Sequence, residues 1–277
     1  MKVGLSACSN GKSREWAGQI DELIDVFAGM GVEAVPAEHI VAKIDEFSGT
    51  DEERAADLMK FYRDDSIDAI YDISGGDLSN GVLKYLDWDV IAKSDKTFWG
   101  YSDLSTIVNA IYTMTGKESV LYQIENMVWQ EDELQQKRFD EYVKGNTEPL
   151  FGVKYEMLQG QGMQGTLIGG NIRCLLKLAG TKYWPDMTGK ILFLESYGGA
   201  SGQIATLMAQ LDTMGVFDQV AGVILGTYTV YEKANLEYSV YDLLKMHISP
   251  DLPVARTTEV GHGYDSKAII IGRDISL

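Results

Sequence analysis

Between Lys2 and Gly116 short apolar runs alternate with segments of helical spacing, and that alternation admits few folds. Residues 2–8 (KVGLSAC), 32–37 (VEAVPA), 67–74 (IDAIYDIS) and 97–102 (TFWGYS) read as buried strands. Between the first two, Trp16, Ile20, Leu23, Ile24 and Phe27 recur at helical intervals over residues 14–30. Thr50-Asp51-Glu52-Glu53 is a capping box that opens a helix running to about Arg63. Residues 103–116 form a further helix closed by glycine. Strands that alternate with helices pair in parallel, so this half predicts a parallel sheet covered by helices.

The chain has 277 residues, room for one large domain or two ordinary ones. The polar stretch EDELQQKRFDEYVKGNTEP (131–149) ends in turn residues and predicts a surface helix followed by a boundary. The expected units are therefore residues 1–145 and 150–277. The second half reads differently. FGVKYEMLQG (151–160) and MQGTLIGG (163–170) resemble strands paired around glycine turns. A helix near 171–179, strand 190–196, a helix near 201–214 and strand 220–226 follow. A helix near 239–247 and strands near 253–259 and 267–272 complete a mixed α/β unit.

Charge and cysteine content narrow the partners. Lys and Arg number 24 against 41 Asp and Glu, a formal net charge of −17. An acidic exterior repels phosphate backbones and anionic lipid, which argues against nucleic-acid and membrane partners. Cys8 and Cys174 cannot build a disulfide framework, and the opening MKVGLSACSNGK has no signal-peptide core, so a cytoplasmic protein is expected. No apolar run approaches the roughly 18–20 residues that span a bilayer. His39, His247 and His262 are far apart, with no HxH or HExxH pattern, and no complete nucleotide-binding glycine motif is present. Neither a metal nor an organic cofactor is expected.

Four local patterns could carry chemistry. In Gly100-Tyr101-Ser102-Asp103 a buried strand runs directly into a helix, the topology of a nucleophile elbow. The N–H after the serine would then lie at a helix start, placed to stabilise an oxyanion. Leu104 stands where GxSxG has its last glycine, so a plain helix-capping serine is the alternative. Among the three histidines only His262 sits between glycines in a loop after a strand, where it could act as a base or simply occupy a turn. Glu195 ends the apolar strand ILFLES; it could orient an imidazole or lie exposed at the strand end. Gly75-Gly76 follows strand 67–74, at the end of the sheet where ligands of open α/β proteins bind, and could be a second oxyanion turn or an ordinary one.

Taken together, these blocks resemble the LD-carboxypeptidase family of serine peptidases, which includes the microcin C immunity peptidases. The resemblance rests on SGGDLSNGVLKYLD (74–87), WGYSD (99–103), GTLIGGNIRCLLKLAGT (165–181), ILFLES (191–196) and VGHG (260–263). It implies a catalytic triad of Ser102, Glu195 and His262, with an oxyanion hole from the N–H groups of Gly76 and Asp103. It further implies a nucleophile-bearing first domain and a second domain carrying acid and base. Murein-cleaving members commonly have arginine before the glycine pair and an aromatic after it. Here Ser74 and Asp77 occupy those places, and Leu78-Ser79-Asn80 looks nearer the immunity-peptidase branch.

The expected activity is hydrolysis of an amide in a small peptide or peptide conjugate through an acyl-enzyme. An amidase acting on aminoacyl-nucleotide conjugates and a non-catalytic small-molecule-binding protein are the alternatives. Tyr101 or Trp184 could stack on a substrate, and Arg173 or Arg256 could replace the missing arginine. Oligomeric state stays open, a homodimer included.

Overall fold

A computed structural model describes residues 1–130, 132–234 and 236–277; Glu131, the first residue of the 131–149 stretch, and Asn235 lie outside the described residues. The strands are β1 (Lys2–Ser6), β2 (Glu33–Pro36), β3 (Ala69–Asp72), β4 (Thr97–Gly100), β5 (Ser119–Leu121), β6 (Glu156–Gln159), β7 (Gln164–Asn171), β8 (Ile191–Ser196), β9 (Gly222–Tyr228), β10 (Val254–Arg256), β11 (Ile269–Ile271) and β12 (Asp274–Ser276). They form two six-stranded sheets, ordered β11-β5-β4-β3-β1-β2 and β12-β7-β8-β9-β10-β6.

In the first sheet β2, β1, β3, β4 and β5 are parallel, as the strand–helix alternation predicts. Successive residues of each strand face opposite layers. Val3, Leu5, Tyr71 and Trp99 pack with the helix Gly18–Gly29, and with Phe139 of the helix Asp132–Val143. Ile70 and Phe98 face the helices Asp51–Arg63 and Ser105–Thr115. Both hydrogen bonds of the Thr50/Glu53 capping box are present. The chain winds outward in both directions from β1, so the loops after β1 and β3 meet at a topological switch point, where open α/β sheets bind ligands.

The second sheet has a parallel centre, β7-β8-β9-β10, with antiparallel edges. Here one sequence expectation needs correction. The runs 151–160 and 163–170 do not pair with each other: β6 joins β10 at one edge, while β7 lies between β12 and β8. The stretch 150–277 also reaches the first sheet, where β11 pairs antiparallel with β5. The next strand, β12, returns to β7, so the chain end ties the two sheets together.

Glycines allow the halves to meet closely. Asn109 of the helix Ser105–Thr115 donates to Gly169 O (2.8 Å) and accepts from Gly169 N–H (2.9 Å). Asn171 N–H donates to Ser105 Oγ at 2.8 Å. A Cβ at Gly170 would collide with that hydroxyl, and one at Gly169 with the Phe193 backbone. This explains the GTLIGGN block: its last residues form a contact between the halves that side chains would block. One hydrophobic cluster runs from Leu58, Phe98 and Ile107 to Leu192, Phe193 and Ile224, across both units. Among the described residues no helix is long and apolar enough to cross a membrane.

Candidate active site

The chain turns sharply after β4. Ser102 has φ 53°, and with Asp45 it is one of two non-glycine residues in the left-handed region among those described. Such a backbone is strained for an L-residue and raises the side chain above the sheet. The packing beneath also accounts for the departure from GxSxG. A Cβ on Gly100 would sit 2.7 Å from Leu104 Cβ and 2.9 Å from Phe98, so Gly100 makes the room that Leu104 fills. No side-chain hydrogen bond caps the 3-10 turn Ser102–Leu104 or the helix that follows it.

Glu195 is fully buried at the carboxyl end of β8, paired in register with Asn171. His262 lies in the loop after β10, where Gly261 packs so tightly on Thr227 that a side chain would overlap it. His262 Nδ1 lies 2.6 Å from Glu195 Oε2, and its Nε2 lies 3.0 Å from Ser102 Oγ. Residues from a helical turn, a strand end and a loop thus form one hydrogen-bonded line. With Glu195 accepting at Nδ1–H, Nε2 is the free lone pair facing the hydroxyl.

Tyr101 supports this line from below. Its hydroxyl donates to Glu195 Oε2 at 3.3 Å, and its ring meets the His262 ring edge-on at 4.8 Å between centroids. Burial first, then the neighbouring Glu195 charge, push the phenol well above its ordinary pKa, so it remains a donor. This corrects the expectation of Tyr101 as a stacking platform, since it is 3% exposed.

The glycine turn and the serine turn both open on the same cavity. Gly76 has φ 116°, and a side chain there would run into Asn10. Asn10 holds the turn at both ends: its N–H donates to Gly75 O at 3.1 Å, and its Oδ1 accepts from Asp77 N–H at 2.9 Å. The N–H groups of Gly76 and Asp103 have no acceptor among the described residues. The other two histidines lie elsewhere. His39 contacts Asp57 at 3.0 Å, and His247 contacts Asp212 at 2.9 Å.

Ser102, His262, Gly76 and Tyr101 line a cavity of about 930 Å³ that also exposes Trp129, Tyr197 and Tyr264. Those three aromatic residues escaped the sequence reading because nothing in the chain order links them. Glu125 also lines the cavity, ion-paired with Lys12, and burial raises its pKa more than Lys12 lowers it. Of the basic candidates, Arg173 lines the cavity, whereas Arg256 does not and pairs with Glu232 at 3.1 Å. Trp184 packs on the core instead of lining the cavity. No cluster of three or more His, Cys, Asp or Glu placed to hold a metal occurs among the described residues.

Comparison with known proteins adds an independent line. Residues 3–122 match the LD-carboxypeptidase N-terminal domain and residues 164–277 the LD-carboxypeptidase C-terminal domain. A probable murein peptide carboxypeptidase of Bacillus subtilis (strain 168) is 30% identical over 235 residues, covering 81% of this chain and 73% of that protein. The microcin C7 self-immunity protein MccF of Escherichia coli is 26% identical over 271 residues, covering 83% of this chain and 76% of that protein. A solved structure of MccF in complex with glutamyl sulfamoyl guanosine superposes with a TM-score of 0.89 at 20% identity, covering 99% of this chain and 92% of the other.

Proposed function

The chain belongs to the LD-carboxypeptidase family of serine peptidases and is a hydrolase, and on that premise we propose that Ser102, His262 and Glu195 are its catalytic triad. The observation that carries this reading is the continuous line Glu195 Oε2–His262 Nδ1 (2.6 Å) and His262 Nε2–Ser102 Oγ (3.0 Å), ending on a strained serine. As Ser102 Oγ attacks the scissile carbonyl, His262 Nε2 takes its proton. Glu195 stabilises the imidazolium and keeps the ring oriented. The N–H groups of Gly76 and Asp103 receive the oxyanion. Collapse of the tetrahedral intermediate expels the amine, which leaves with the proton from His262. Water then hydrolyses the acyl-serine by the same steps, with His262 as its base.

The substrate is an amide in a small peptide or peptide conjugate. Within that class we favour an aminoacyl conjugate carrying a flat group over a murein tetrapeptide. Two features support this. Arg173, the one arginine lining the cavity among the described residues, is already paired with Asp77, which leaves Lys233, a point charge and not a bidentate fork, as the other lining cation for a substrate carboxylate. Trp129, Tyr197 and Tyr264 line the cavity, an aromatic surround that suits a planar leaving group. The buried, unbridged Cys8 and Cys174 suit a reducing compartment, which supports a cytoplasmic enzyme.

The test is competition between an L,D-tetrapeptide and an aminoacyl-sulfamoyl adenosine, with products read by mass spectrometry. A higher kcat/KM for the conjugate is expected. Preference for the tetrapeptide would restore the plain murein-peptidase reading, with the same triad.

A further inference from the structure

The two proposed oxyanion donors stand on separate loops of the first sheet, yet both loops are gripped by one short helix of the second unit. That helix, Ile172–Leu176, carries Arg173 and is followed by its cap residue Lys177. Positions four apart share a helix face, so both cations point the same way. Arg173 pairs with the Asp77 carboxylate, and its Nη2 donates to Gly76 O at 3.2 Å. Lys177 Nζ donates to Asp77 O at 3.0 Å and pairs with the Asp103 carboxylate.

Asp103 is the residue after Ser102, and its carboxylate is fully buried. Besides Lys177 it accepts from Ser9 Oγ at 2.6 Å and from Ser79 N–H at 2.9 Å. Ser79 Oγ in turn donates to Asp103 O at 2.8 Å. The side chain and the carbonyl of this residue are thus both tied, which fixes the direction of its N–H. Hydrolysis by the triad does not require a carboxylate at position 103, because only the backbone there is expected to meet the oxyanion. An exposed ion pair alone would mean little, and Arg173 with Asp77 is half-exposed. Lys177 with Asp103 differs, because a fully buried carboxylate demands a partner.

Resting on the reading of Ser102 as nucleophile, we propose that Arg173 and Lys177 are positioning residues of the oxyanion hole. They clasp the Gly76 and Asp103 turns in mutual register and tie the hole to the unit that supplies Glu195 and His262. Neither touches the reacting atoms. Their effect is on how well the two N–H groups converge on charge that develops only in the transition state. Removing either should therefore lower kcat and leave KM nearly unchanged.

The experiment uses a fluorophosphonate, whose serine adduct places a phosphoryl oxygen in the oxyanion position, alongside steady-state amide hydrolysis. Wild type, Arg173→Met, Lys177→Met and Lys177→Arg are compared, with melting temperatures measured in parallel. Loss of one donor in other hydrolases costs about 10²–10³-fold, so a donor left in place but loosened should cost about 10–100-fold in kcat and in the inactivation rate constant. KM and the inhibitor constant should stay within about threefold, and Lys177→Arg should recover part of the loss.

Folded Arg173→Met and Lys177→Met proteins that inactivate at the wild-type rate would overturn the proposal. So would a raised KM at unchanged kcat in Arg173→Met, the signature of substrate binding. If Lys177→Met does not fold, the doubly neutral Lys177→Met/Asp103→Asn protein replaces it, and wild-type inactivation in that protein overturns the proposal equally. A wild-type enzyme that forms no adduct at Ser102 would instead sink the nucleophile assignment, and this inference with it.

Discussion

Ser102 combines two properties that a helix cap does not need, a left-handed backbone and a histidine nitrogen 3.0 Å from its oxygen. The two can be separated by substitution. Ser102→Ala keeps the unfavourable φ and removes the oxygen, so turnover should fall about 10³–10⁶-fold with little change in stability. Ser102→Gly should be as inactive but more stable, by about 1 kcal/mol, because glycine adopts this φ without strain. A pair of melting curves and a rate measurement check both; equal stability of the two variants would show that position 102 is unstrained. The histidines permit a parallel test. His262→Ala should abolish turnover, whereas His39→Ala loses contacts to Asp57 and Glu53, His247→Ala a contact to Asp212, and both should keep it. An inactive but folded His247→Ala protein would refute the assignment of the base.

At the scale of elements, the junction between β4 and the helix Ser105–Thr115 decides whether the serine is presented at all. Gly100→Ala would press a methyl group to 2.7 Å from Leu104 Cβ, and overpacking of this kind costs about 1–3 kcal/mol. The strain falls on the turn that aims Ser102, so activity should drop together with stability. Gly100→Ala combined with Leu104→Gly should cost less than the two single losses summed, because the Cβ that the new methyl group meets is gone. Denaturant midpoints for the single and double variants test this; an additive loss in the double variant would mean that the two positions do not compete for the same space. The capping box on the helix Asp51–Arg63 is a useful contrast. Thr50→Ala should cost about 1 kcal/mol and leave catalysis intact, since the cap secures a helix away from the cavity lining.

For the whole molecule, the contact between the two units has an acid limit. The hydrogen bond from Arg173 holds the Asp77 carboxyl below the usual carboxylate range. A carboxyl whose pKa is depressed on folding contributes stability that is fully present above its unfolded value, near 4. That contribution is lost as pH falls through the folded value. Acidification through the folded value should therefore loosen the Asp77 side of this contact, while the bond from Arg173 to the Gly76 carbonyl, which does not titrate, stays. In urea titrations between about pH 3 and 6, Asp77→Asn should narrow the drop in stability on the acid side relative to wild type. A wild-type-shaped acid limb in Asp77→Asn would mean that this pair does not couple pH to the fold.

Local pattern alone determined a good deal of this protein. Strand–helix alternation over 2–116 specified a parallel sheet, because short apolar runs separated by amphipathic helices have few other ways to bury their faces. Thr50 and Glu53 specified a helix start, because a capping box is satisfied within four residues. The distinctive blocks around Gly76, Ser102, Gly170, Glu195 and His262 carried the family resemblance, since each meets a steric or chemical demand that few residues satisfy. Other features were decided only when distant segments met. The return of β11 to the first sheet, and the separation of β6 from β7, depend on which sheet edge is open, and a three- or four-residue strand does not encode its neighbour. The left-handed φ of Ser102 is not legible in any propensity, since a serine rarely adopts it. The positions of Lys177 beside Asp103 and of Tyr101 beneath His262 exist only because the two units share one core. Ion pairs and hydrogen bonds between residues 74 or 161 positions apart leave no mark on chain order.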